Sequence, residues 1–270
     1  MGPMILASRR NIALACALSA LAGYVDGIGF LHLGGLFVSF MSGNSTRLGV
    51  SLAEGGWSDA AEVIGLIALF VTGAACGSLI VLGRGANRQP WVLLVEAALL
   101  AVAPLCYASG FSNAAVAAMV LAMGLENAVF QIDGGAGLGL TYVTGALVKV
   151  GQLAAAALSG GARWAWLPNL LLWAALVAGS ACGALAYHWI NLAAIWFAAA
   201  ATLALSGIVA AALTGGARWG WLPNLLLWAA LVAGSLCGAL AYHWINLAAI
   251  WFAAGAALAL SGIVAATIHL

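Results

Sequence analysis

Long apolar runs, separated by short polar or glycine-rich breaks, succeed one another from end to end of the chain. They cover residues 11–32, 34–54, 62–83, 91–109, 112–131, 138–158, 168–187, 190–212, 223–242 and 245–268. A helix of about 20 apolar residues crosses roughly 30 Å of hydrocarbon. The strands of a membrane barrel would alternate polar and apolar positions, and these runs do not. The pattern therefore predicts an all-α, polytopic transmembrane helix bundle. Two of its runs, 34–54 and 138–158, are interrupted by glycine and hydroxyl residues. Tryptophans gather at run ends (Trp57, Trp91, Trp164, Trp166, Trp189, Trp219, Trp221 and Trp244), as expected of an interfacial belt.

The runs recur internally. Residues 35–49 align with 137–151 through paired small hydroxyls (Ser39 and Thr141, Ser42 and Thr144), aromatics (Phe40 and Tyr142), glycines (Gly43 and Gly145, Gly49 and Gly151) and cations (Arg47 and Lys149). Residues 70–79 align with 176–185 in the same order and at nearly the same offset. Two repeats are expected, and the domains read as 1–109, 110–212 and an appended 213–270. That last stretch holds a second, much closer copy: 160–212 recurs at 215–267 with five differences, among them Ala165 to Gly220 and Ala181 to Leu236. Identity this high marks a recent or engineered duplication, surplus to the core fold.

The direction of the halves turns on the broken runs. If 34–54 and 138–158 cross the membrane, each half has four crossings and the halves are parallel. If they enter and return, each half has three and the halves are inverted. Inversion places Arg9, Arg10, Arg84, Arg88, Arg163 and Arg218 on one, cytoplasmic, face, which the positive-inside rule prefers. Irregular backbone at membrane depth survives only when buried in protein or lining a cavity. Broken segments at matching places in inverted halves point to a transport site. Inversion is the reading adopted.

Composition agrees with the membrane assignment. Apolar residues make up 66% of the chain, and only fifteen of 270 residues are formally charged, far below a soluble domain's quarter. The net charge of +1 offers no patch for nucleic acid. Thirty-five glycines suit helices that associate in lipid through close backbone contact. The five cysteines (Cys16, Cys76, Cys106, Cys182 and Cys237) lie inside apolar runs without metal-ligand spacing, so they read as packing residues. Arg9-Arg10 with the apolar stretch behind it reads as an uncleaved first span, a signal peptide being the rival. No cofactor or metal is expected, and no catalytic signature of hydrolytic or nucleotide chemistry occurs. The chain is not expected to be an enzyme.

Candidate chemistry sits at the two interruptions. Arg47 and Lys149 occupy matching positions, and a cation within an apolar run faces a cavity or a counter-ion; snorkelling to the interface is the alternative. Asp26 and Glu126, the latter beside Asn127, are their expected partners or proton-carrying groups, although Asp26 also reads as a loop residue at a helix end. Glu96, soon after Trp91, reads as interfacial. Ser42, Asn44 and Thr144 complete the expected solute-binding set, together with Ser39, Ser45, Thr46 and Thr141. Hydrogen bonding within or between helices is the plainer account of those hydroxyls. His188 and His243 read as interfacial, and His32 has no evident partner in sequence.

The blocks Gly23-Tyr-Val-Asp-Gly and Gly35 to Gly49, with Gly124-Leu-Glu-Asn-Ala and Leu140 to Gly151, resemble the YoaK family of bacterial inner-membrane proteins. The likeness spans about 10–212, and its most specific part is the Ser42-Gly-Asn block. It implies a multi-helix protein of the bacterial cytoplasmic membrane and carries no assigned activity. Two departures stand out: the family pattern has Gln where Glu126 stands and a basic residue near Gln131. The two interruptions, with their paired cations and hydroxyls, lead to the expectation of a transporter or channel for a small polar or anionic solute, with lipid and a further copy of the chain as partners. A non-transporting scaffold is the alternative.

Overall fold

A computed structural model describes residues 9–83, 88–129 and 143–214. The chain divides into two units, Met1–Ala217 and Arg218–Leu270. The copied hairpin at 215–267, the break at 133–139 and Thr141 lie outside the described residues. Within the first unit run α1 (Arg9–His32), α2 (Met41–Ala53), α3 (Trp57–Leu82), α4 (Gln89–Ala108), α5 (Ser112–Glu126), α6 (Val143–Leu158), α7 (Leu167–Ile190) and α8 (Ile195–Thr214). A 3-10 turn, Asn191–Ala194, joins the last two. No strand occurs among the described residues, and the fold is all-α as the pattern predicts.

Local chemistry explains several boundaries. Pro90 and Pro168 sit in the first turns of α4 and α7, where a missing N–H costs nothing. Helix α3 starts earlier than its apolar run, because Trp57 and Asp59 form its first turn and an acid there suits the helix dipole. Asn191 ends α7 at φ 56°, a conformation asparagine tolerates, and its Oδ1 accepts the Leu192 N–H at 3.1 Å.

Four stretches are long and apolar enough to span a bilayer: Ile12–His32, Trp57–Leu82, Gln89–Ala108 and Leu167–Ala210, the last comprising α7 and most of α8. The protein is a multi-pass membrane protein whose outer helix faces meet lipid, with Trp57, Trp91, Trp164 and Trp189 exposed near helix ends. Helix α2, at 13 residues, rises only about 20 Å and cannot cross alone.

Glycines set the helix pairs. Helix α1 packs on α7, and α3 packs on α5. A Cβ on Gly23 or Gly27 would strike the backbone of Leu176 or Ser180, and one on Gly179 or Gly183 would strike Ala20 or Tyr24. The same exchange recurs between α3 and α5: Gly73 lies on Leu121, Gly77 on Leu125 and Gly124 on Phe70. Within each pair both registers advance together, so the paired helices are parallel.

Helix directions follow from His32, the last residue of α1. Its Nδ1 lies 3.1 Å from Tyr187 Oη, its Nε2 lies 3.3 Å from Ser112 Oγ, and its ring meets the Tyr107 ring edge-on at 5.4 Å. The C-terminal ends of α1, α4 and α7 therefore gather with the N-terminal end of α5. Helix α5 runs against α1, and α3, parallel to α5, does too. The segment between α1 and α3, residues 33–56, therefore leaves and rejoins the bundle at the same end. At the opposite end, the Ser206 hydroxyl of α8 donates to the Pro90 carbonyl at 2.8 Å, setting α8 antiparallel to α4.

Candidate functional site

The entry into α2 is held by a carboxylate from another helix. Asp26, in α1, is 8% exposed. Its Oδ1 accepts the backbone N–H groups of Val38 and Ser39, both at 2.8 Å, and its Oδ2 accepts the Ser39 hydroxyl. The backbone N–H groups of Phe37, Val38 and Ser39 are met by side chains in place of helical carbonyls, as buried backbone donors need partners. Asn44 supplies a second clamp. Its Oδ1 accepts the Phe37 N–H at 2.9 Å, while its Nδ2 donates to the Phe37 carbonyl at 2.7 Å. Asp26 is six residues from the His32 end of α1, or about 9 Å along the axis. Irregular chain is thus pinned inside the bundle.

Two further carboxylates lie deeper. Glu96 belongs to the buried stripe of α4 formed by Val92, Leu93, Ala97, Leu100 and Ala103. Glu126 closes α5 behind Met123 and Leu125. Both are 0% exposed, and all four of their oxygens lack a hydrogen-bond partner among the described residues. Counted from the end marked by His32, they lie about 18 Å and about 21 Å along their own helices. Glu126 is within electrostatic range of both Glu96 and Asp26.

This arrangement corrects two expectations. Asp26 and Glu126 are not partnered with Arg47 and Lys149: Asp26 holds the 38–39 turn, and Glu126 has no hydrogen-bond partner among the described residues. Both cations are exposed, as are Ser42 and Thr144, because α2 buries only Asn44 and Ser51 and α6 buries none of its described side chains. Glu96 is enclosed by protein rather than placed at an interface. Its helical register was the available signal, since it falls three residues after Leu93 and four before Leu100 on the buried stripe.

The other expected residues are placed plainly. Asn127, half-buried, donates from Nδ2 to the Met123 carbonyl at 2.9 Å. The hydroxyls of Ser45 and Thr46 donate to carbonyls four residues earlier, at 2.8 and 3.2 Å, the plainer of the two readings. The structure thus brings Asp26, Ser39 and Asn44 together around one broken segment, with Glu96 and Glu126 below it. It leaves Ser42, Arg47, Thr144 and Lys149 on the outside.

Comparison with known proteins agrees with the membrane architecture. Residues 14–208 match a family model described as a protein of unknown function, DUF1275. The chain is 36% identical over 186 residues to the UPF0700 transmembrane protein RA0705 of Rhizobium meliloti (strain 1021), covering 65% of this chain and 77% of that one. No solved structure matches.

Proposed function

The chain belongs to the DUF1275 family of proteins of unknown function, and we propose that it carries a small polar solute across the bacterial cytoplasmic membrane, as a secondary transporter or channel. One observation carries this reading: the irregular entry to α2, pinned by Asp26 and Asn44 inside the bundle. Backbone that leaves the helix at such a depth suits the lining of a path. The opposed directions of α1 and α5, and the exchanged glycine contacts, support an origin by inverted duplication. The Ser42-Gly-Asn block supports kinship with YoaK-like proteins. The acidic interior favours a neutral or cationic solute over the anion that Arg47 and Lys149 alone would suggest.

The test is swelling of protein-containing liposomes in a panel of small polar osmolytes, with Asp26→Ala alongside the unaltered chain. Osmolyte-selective swelling that Asp26→Ala abolishes supports a solute path through this segment. Swelling no faster than in protein-free vesicles, across the panel, sinks the transport reading and leaves the scaffold alternative.

A further inference from the structure

We infer that Glu96 and Glu126 form a proton-binding pair, a site separate from the Asp26 clamp. Three carboxylates reach the interior of the bundle, and they are not equivalent. Asp26 is saturated by two backbone N–H groups and a hydroxyl. Glu96 and Glu126 have no donor at all among the described residues, with both side chains fully buried. They stand at similar depths on α4 and α5, which pack directly on each other, and their charges interact.

A buried carboxylate without donors or counter-ion is among the costliest groups a protein can hold as an anion, and two side by side are worse. The side chains sharing their buried faces are Val92, Leu93, Leu100, Met123 and Leu125, none of which donates a hydrogen bond. No group of three or more His, Cys, Asp or Glu side chains that could hold a metal ion occurs among the described residues. A proton needs only the two acids. Bound to a carboxylate oxygen it removes that group's charge, and with it the main cost of holding the group in an apolar interior. Taking up a second proton leaves both groups neutral.

The neighbours leave the pair to govern its own proton. Helix α4 packs on α3, α5 and α8, and α5 packs on α1, α3 and α4. Helix α8 has no titratable residue; on α3, Asp59, Glu62 and Cys76 are all exposed. On α1, Cys16 is half-buried, and Tyr24 and His32 are engaged with the Ala194 carbonyl and with Tyr187 and Ser112. Among the described residues, Asp26 is a further buried carboxylate that reaches Glu126, beside Glu96 itself. Loading of the pair would tie solute movement to a proton, a role that rests on the transport reading above; proton binding itself does not.

Infrared spectroscopy of the full chain in detergent tests it, following the carboxylic-acid C=O band through a pH titration. Asp26→Asn serves as the reference for that residue's own signal. The unaltered pair should titrate in two steps; Glu96→Gln and Glu126→Gln should each leave one step, and the double variant should lose both. Circular dichroism and elution volume show that the near-isosteric variants remain folded. A double variant whose band superimposes on the unaltered protein's, or single variants that keep two steps, overturns the proposal. Because no solute or flux is involved, normal swelling with an unchanged titration sinks only the proton pair. The expected titration without swelling sinks only the transport reading.

Discussion

Gly179 of α7 rests directly on the carbonyl of Ala20 in α1, so closely that a β-carbon there would overlap it. The helices can meet at that distance only through a hydrogen in place of a side chain. Gly179→Ala should therefore force α1 and α7 apart and lower stability by about 1–3 kcal/mol, the usual cost of overpacking. Gly207, in α8, has open space around its Cβ position. Gly207→Ala should be neutral or slightly stabilising, by up to about 1 kcal/mol, because alanine is the better helix former. Thermal midpoints in one detergent, measured for both variants, check the contrast.

Helix directions can be read by labelling. Ser58, Ser109 and Ser159 are exposed, at the start of α3, after α4 and after α6. With α2 returning to the face it left, Ser58→Cys and Ser109→Cys in a cysteine-free background should label from one side of the membrane. Ser159→Cys should label from the other. Four crossings in each half would instead put Ser109 and Ser159 on the same side, and a membrane-impermeant maleimide distinguishes the two.

Removing the Asp26 carboxylate leaves the Val38 and Ser39 N–H groups without their acceptor. An unsatisfied buried donor costs about 1–3 kcal/mol, so Asp26→Ala should lower the unfolding midpoint and speed amide exchange at 37–41. Asp26→Asn keeps an acceptor oxygen and should fall between the two. Hydrogen exchange resolved to the 33–44 peptide is the measurement.

Arg47 and Lys149 stand outside the buried cluster. If solute passes by the Asp26 clamp, Arg47→Ala and Lys149→Ala should reduce swelling rates less than Asp26→Ala does. A loss of flux equal to that of Asp26→Ala would return the cations to the path.

Much of this could be read from the sequence, for reasons that differ by element. Apolar length alone locates α1, α4 and α7 to within a few residues, since lipid imposes it. The breaks at Gly34 and Gly35, both with positive φ, mark where α1 gives way to the entry of α2. Glycines four apart, at 23 and 27, 73 and 77, and 179 and 183, were visible as a class, but which backbone each meets is decided in three dimensions. Charge misled in one respect. A cation in an apolar run suggested a buried partner, whereas α2 and α6 turn Arg47 and Lys149 outward. Distance from the helix end suggests an interface for Glu96, whereas its helical phase sets it on the buried stripe of α4. The contacts of His32 with Tyr187, Tyr107 and Ser112, which set the helix directions, involve residues without any shared pattern.

The return of α2 to the face where α1 ends has a bearing on how the protein is made. A segment that begins and finishes on one side needs no passage through the membrane-insertion machinery as a span. Its 13 residues can be fitted after α1 and α3 are already in place, with the Asp26 carboxylate waiting as the peg on which the 38–39 turn is hung. Assembly then has a natural last step. The irregular 37–39 stretch then takes its place from side chains of two helices, Asp26 of α1 and Asn44 of α2.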